Sequence, residues 1–192
     1  VLTWYRGFSQ LKQSATDRHL RPAGREIDQL RAITLGLPVV IDCRDRAALA
    51  RVQSCGSPVL QGLFEALGTW KKPRGATRET HYQESLLRHL KRHMPEAESE
   101  RERPIEGTRS RPDFMVAKSV LIEMKTNLNT AGAHRGVGQM AQYAERWNQG
   151  PLLIVLCGAG NQAAEEFLAR GMAALRTSAP VVVVLAARSG SA

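Results

Sequence analysis

The segment 111-RPDFMVAKSVLIEMK-125 constrains the fold more than any other part of the chain. Two short apolar runs, FMV and SVLI, are separated by Ala117-Lys118-Ser119 and edged by Asp113, Glu123 and Lys125. Apolar runs of this length, interrupted by a polar turn, predict an antiparallel hairpin. A hairpin centred on Lys118 sets Asp113 directly opposite Glu123, and Lys125, two residues on, shares the face of Glu123. Opposed residues hold their Cβ atoms about 4.5–5.5 Å apart, where like charges repel. A divalent cation between the carboxylates would offset that repulsion, with the ammonium at its edge. An ion-pair cluster at strand ends is the competing reading, and it needs no metal.

Periodicity places this hairpin within an α/β chain. Thr80 and Gln83 resemble a capping box that opens a helix carrying Tyr82, Leu86, Leu87, Leu90 and Met94, which Pro95 stops. The run EAESERER reads as a solvated loop, followed by a strand around 103–107, strands at 113–116 and 119–124, and a helix at 135–148. Strand LLIVLC, a helix at 162–176 capped by Asn161, and strand VVVVLA complete the order α, three β, α, β, α, β. Such an order predicts an α/β sandwich on a mixed sheet. Upstream, residues 1–78 read as a mostly helical N-terminal region, with a helix opening at Ser57-Pro58 and closing at Gly68. LPVVID is a short strand or buried loop there, RDRAALARV a further helix, and TWKKPRGAT a linker to the domain at 79–192.

Charge divides the chain in the same place. Residues 1–78 hold 13 Lys and Arg against 6 Asp and Glu, a net +7, whereas residues 79–192 carry only +2 of the total +9. The basic part suits a polyanion. Arg18, Arg21, Arg25, Arg31, Lys71, Lys72 and Arg74 are the candidate phosphate contacts. No apolar run approaches the roughly 20 residues of a membrane span. Cys43, Cys55 and Cys157 are far apart and lack CxxC spacing, which argues against a zinc site or a disulfide framework. A reducing, cytoplasmic location is the simple expectation. The chain starts at Val1 rather than methionine, which permits it to be part of a longer protein.

On the helix expected at 135–148, Gln139 and Tyr143 stand one turn apart on one side. They form a stripe beside the packing face of Val137, Met140, Ala141, Ala144 and Trp147. Pro112-Asp113, then Glu123-x-Lys125 after an apolar strand, then GQMAQYA together resemble the PD-(D/E)xK, or restriction-endonuclease-like, nuclease superfamily. The Gln139-x-x-x-Tyr143 element is similar to that of its RecB-like branch, and the resemblance covers roughly residues 80–157.

The resemblance implies a restriction-endonuclease-like αβββαβ core and Mg²⁺-dependent phosphodiester hydrolysis, with Mn²⁺ as the substitute ion. Asp113 and Glu123 would ligate the metal, the Met124 backbone carbonyl could add a ligand, and Lys125 would orient or polarise the attacking water. The family's acidic residue on the preceding helix is best matched by Glu84, with Glu79 as its rival. Gln139 and Tyr143 would place substrate, and His134 and Arg135, at the expected helix entrance, could contact phosphate. DNA is the expected substrate, RNA the alternative, endo or exo cleavage is open, and a homodimer is a further allowed partner. Two other readings stay open: a catalytically silent nucleic-acid-binding module on the same fold, and an RNA-cleaving effector or toxin domain of a longer chain. His89 and His93 have the i, i+4 spacing of a metal pair but no third ligand nearby, and read as solvated helix residues.

Overall fold

The structure is a computed structural model that describes residues 40–53, 57–105, 109–175 and 181–188. The expected helices before residue 40, with Arg18, Arg21, Arg25 and Arg31, lie outside the described residues, as does Cys55. In chain order the elements are β1 (Val40–Asp42), α1 (Arg46–Gln53), α2 (Pro58–Thr69), α3 (Glu79–His93), β2 (Ser99–Arg101) and β3 (Phe114–Val116). They continue with β4 (Val120–Thr126), α4 (Thr130–Arg146), β5 (Leu152–Gly158), α5 (Gln162–Ala174) and β6 (Val181–Arg188). The six strands form one mixed sheet in the order β1-β6-β5-β4-β3-β2. β4, β5, β6 and β1 run parallel, while β2, β3 and β4 are antiparallel neighbours.

Alternation along the strands splits the apolar residues between two layers. On one face, Val120, Ile122 and Met124 of β4 join Leu153 and Val155 of β5 and pack with α1, α2 and α3. Leu121, Leu152, Ile154 and Leu156 face α4 and α5 on the other. Central strands covered on both sides must be apolar throughout, and every residue of β5 is buried. No helix among the described residues is long and apolar enough to cross a membrane.

Local signals explain most element boundaries. Ser57 caps α2 by accepting from the Leu60 N–H at 3.4 Å, with Pro58 in the first turn. Gly68 does not end that helix; α2 runs to Thr69, and a Cβ on Gly68 would lie 2.9 Å from the Cys43 carbonyl oxygen. Its place is therefore a close approach between α2 and the end of β1. Asn161 caps α5 through the Ala164 N–H at 3.1 Å, as its position before that helix suggests. The hairpin turns at Ala117 and Lys118, both at positive φ, and the Ser119 N–H closes it on the Val116 carbonyl at 3.1 Å.

Several features differ from the sequence reading. α3 begins at Glu79 behind Arg78, which makes no side-chain cap, so Thr80 and Gln83 form no capping box. The first antiparallel strand lies at Ser99–Arg101, inside the charged run, rather than around 103–107. It is an edge strand, where charged side chains discourage pairing with another chain. α4 starts five residues early, at Thr130, because Asn129 caps it by accepting from the Gly132 N–H at 2.8 Å. Residues 40–69 are integrated with the rest: β1 pairs with β6, and Leu60, Leu63, Phe64 and Leu67 of α2 lie in the same buried cluster as Ile122 and Val155.

Candidate functional site

The hairpin register is Phe114 with Ile122, Met115 with Leu121 and Val116 with Val120. One step further, Asp113 stands at the level of Glu123, where β3 leaves β4. Loss of the strand partner would orphan the Met124 N–H, and the Asp113 carboxylate takes it instead, Oδ2 accepting at 2.7 Å. Oδ1 of Asp113 accepts from Gln83 Nε2 at 2.6 Å. The site therefore forms where the sheet parts, reached by α3 from one layer and α4 from the other.

Glu123 is 4% exposed and held at both oxygens. Lys125 Nζ donates to Oε1 at 2.6 Å, and the Tyr143 hydroxyl donates to Oε2 at 2.9 Å. A buried carboxylate is costly unless paired and hydrogen-bonded, and these two partners meet both conditions. Burial, then the Glu123 charge, pushes the Tyr143 phenol above its ordinary value, which keeps it a hydrogen-bond donor.

Asp113 is less well compensated. Burial first, then the Glu123 charge, pushes its carboxyl up to about 7, with Glu79 adding to the rise and the Met124 N–H and Lys125 opposing it. Glu79 Oε2 accepts from the Thr126 N–H at 3.3 Å, at the end of β4. Three carboxylates thus converge on the last residues of one strand. Beside them, Asn127 adopts φ 49° and its Oδ1 accepts from the Ala159 N–H at 2.9 Å. Gly158 opposite has φ 80°, and a Cβ there would lie 2.7 Å from that oxygen. The strand ends are locked together at the floor of the site.

Asp113, Glu123, Lys125 and Tyr143 come together as the motif spacing suggested, and Met124 enters through its N–H. Tyr143 does so as a buried residue, 4% exposed, inside the packing face rather than on a separate flank. Gln139 is half-buried one turn earlier. Glu84 is exposed on α3; Glu79 and Gln83, one turn apart on the face that carries Tyr82, Leu86 and Leu90, are the α3 side chains that reach the strand ends. His134 and Arg135 are exposed in the second turn of α4, not at its entrance, because the helix starts earlier. His134 lies against the Phe167 ring, with centroids 4.1 Å apart. His89 and His93 stack at 3.9 Å, and each sets one ring nitrogen against a carbonyl, His89 Nε2 on Ala66 and His93 Nδ1 on His89.

Sequence reasoning missed Gln83 because a capping box accounted for it. The available signal was Glu79-x-x-x-Gln83, two polar residues at the N-terminal end of an otherwise apolar helix face.

Among the described residues no group of three His, Cys, Asp or Glu side chains is arranged to hold a metal ion. The donors present are nonetheless oxygens of the kind that hard divalent cations take, and each carboxylate oxygen keeps a further lone pair. After burial, the Glu123 and Glu79 charges add to the rise of the Asp113 carboxyl, and a cation would offset that repulsion. In donor chemistry and charge, Asp113 and Glu123 fit Mg²⁺, which binds through one or two carboxylates and keeps several waters. No family model, no curated protein and no solved structure matches the chain.

Proposed function

We propose that this chain is a Mg²⁺-dependent nuclease of the restriction-endonuclease-like class, acting on DNA. The observation that carries the reading is the pair Asp113 and Glu123, placed at one level across a parting hairpin with Lys125 on the Glu123 carboxylate at 2.6 Å. The order α3-β2-β3-β4-α4-β5, with β2 to β4 antiparallel and β5 parallel to β4, supports the αβββαβ assignment.

Phosphodiester hydrolysis needs a positioned water, charge for the non-bridging oxygens and help for the leaving oxygen. A Mg²⁺ held by Asp113 and Glu123 would supply Lewis-acid charge to that reaction. The protein's own groups do the placing. Met124 N–H and Gln83 fix Asp113, Tyr143 fixes Glu123, and the Lys125 ammonium, which carries three donors, keeps two for a water or a phosphate oxygen.

Substrate grip falls to the loop between α2 and α3, where Lys71, Lys72 and Arg74 are exposed. Lys71 and Lys72 line a cleft with Cys43, just past the C-terminal end of β1, and with Ala186, near that of β6, and both strands run parallel to β5 and β4. The loop therefore stands at the same end of the sheet as the carboxylates. Adjoining it, a cleft of about 390 Å³ is lined by Lys71, Arg88, His89, Arg92 and His93 with no acidic side chain.

The competing reading, a silent nucleic-acid-binding module, is favoured by the internal hydrogen bonds on all four oxygens of Asp113 and Glu123. One experiment separates them: incubation with labelled linear, circular, single-stranded and branched DNA, and with RNA, in Mg²⁺ or EDTA. Metal-dependent cleavage supports the nuclease; binding without cleavage in either condition supports the module.

A further inference from the structure

We infer that Arg101 and Gln83 form a positioning relay for Asp113, in which Arg101 holds the Gln83 amide in place against the carboxylate. Arg101 Nη2 donates to Gln83 Oε1 at 3.1 Å, and Gln83 Nε2 donates to Asp113 Oδ1 at 2.6 Å. The chain ends on the backbone, where Asp113 Oδ2 accepts from the Met124 N–H. β2, α3, the residue before β3 and β4 are linked through four consecutive groups.

An amide has a donor end and an acceptor end of nearly the same shape, and only its partners decide which faces where. Arginine donates and never accepts. It therefore admits only Oε1 on its side, the Asp113 carboxylate, which only accepts, admits only Nε2 on the other, and the amide is pinned at both ends. With the amide reversed, Oε1 would face a carboxylate oxygen, and two acceptors would meet in a site where Gln83 is 6% exposed and water is scarce. A neutral donor is the apt partner here. It holds the carboxylate in one rotamer and leaves the oxygen's second lone pair and its charge for a cation.

Arg101 gains little for itself in this arrangement. Its Nε is buried without a hydrogen-bond partner, and its ion pair with Glu102, at 3.8 Å, is long and lies between partly exposed groups. A local rule broken without local compensation suits a residue whose contribution is made elsewhere. Loss of such an outer partner typically weakens metal binding about 10- to 100-fold.

The inference rests on the reading of Asp113 as a cation ligand, but its test has an arm that does not. In the metal-free protein, the Gln83 side-chain NH₂ is expected to give nuclear magnetic resonance signals shifted downfield and slow to exchange. Arg101→Met should erase this signature, and Arg101→Lys, which keeps a donor-only cation, should retain it. Calorimetric titration with Mg²⁺ should then show affinity about tenfold weaker in Arg101→Met. In cleavage assays its kcat should fall while KM for DNA stays unchanged. Thermal melting confirms that both variants fold.

A retained amide signature in Arg101→Met overturns the relay, as does weakened Mg²⁺ binding with the signature intact, since Arg101 would then act through charge alone. Loss of the signature in both variants also overturns it. If wild-type protein binds no Mg²⁺ and cleaves nothing, yet the signature follows Arg101, the relay stands and the nuclease reading falls.

Discussion

Tyr143 donates its hydroxyl hydrogen to Glu123 Oε2 at 2.9 Å and also lies 3.3 Å from the Arg111 carbonyl oxygen. A phenol so placed orients the carboxylate and ties the loop before β3 to α4. Tyr143→Phe leaves the ring but strands a buried carboxylate oxygen, which typically costs about 1–3 kcal/mol. Urea unfolding is expected to show that loss. Cleavage should show a lower kcat with KM for DNA unchanged, and a raised KM alone would return Tyr143 to the role of a substrate contact.

Lys125 and Glu123 form the most enclosed ion pair among the described residues, with side chains 15% and 4% exposed. Removing one partner of such a pair costs about 3–5 kcal/mol, because the other charge remains buried. Lys125→Met is therefore expected to be inactive and strongly destabilised. Lys125→Met combined with Glu123→Gln should recover much of the stability and none of the activity, as read by thermal melting and cleavage side by side.

Asp113 makes stability depend on pH in the cation-free protein. Its carboxyl rises from an ordinary 3.8 to about 7, through burial and then the Glu123 charge, so the folded state holds the proton more tightly than the unfolded state. The stabilising contribution is complete below 3.8 and is lost as pH climbs through about 7. The stability of wild type relative to Asp113→Asn is expected to fall across that window. The substitution's misplaced amide donor, facing either Gln83 or Met124, adds a penalty that does not vary with pH. Saturating Mg²⁺ should flatten the wild-type slope, and equal slopes in wild type and variant would remove Asp113 as its source.

The hairpin register, the α/β order and the Asn161 cap are legible in the sequence because each rests on adjacent residues: alternation, a polar turn, a capping side chain. The burial of Tyr143 and the role of Gln83 escape such a reading for one shared reason. Sequence alone sets Tyr143 on the flank of the packing face and Gln83 in a cap, whereas here the parting of β3 from β4 creates a buried polar pocket that both helices must fill. The early start of α4 at Thr130 hides behind Gly132, Gly136 and Gly138, poor helix formers that Asn129 and the packing of Gly136 beneath Leu168 and Ile154 outweigh. β2 is hidden by its charge, since an edge strand has one side open to water and need not alternate.

Glu79 and Glu84 separate cleanly by placement. Glu84 is exposed, and Glu84→Ala is expected to change stability by no more than about 0.5 kcal/mol and leave cleavage intact. Glu79 accepts the Thr126 N–H and places a third charge near Asp113. Glu79→Gln keeps an acceptor for that N–H and removes the charge, so weaker Mg²⁺ binding in a normally stable protein is the expected result. Activity lost in Glu84→Ala and kept in Glu79→Gln would restore Glu84 as the helix acid.

The exposed loop residues Lys71, Lys72 and Arg74 are expected to neutralise backbone phosphates at the end of the sheet where the carboxylates stand. Each phosphate contact on duplex DNA gives about 0.9 log units of affinity lost per log unit of salt. Replacing all three with glutamine should therefore lower both affinity and its salt slope, by about one contact's worth for every residue that touches the backbone. Because the substituted side chains are exposed, Mg²⁺ binding and thermal stability should stay at wild-type levels. The measurement is a DNA-binding titration at several salt concentrations, with Ca²⁺ in place of Mg²⁺ to hold the substrate uncleaved. A weakened affinity with an unchanged slope would mean that the loop acts through its shape, since a contact that releases no counterion contributes nothing to the salt dependence.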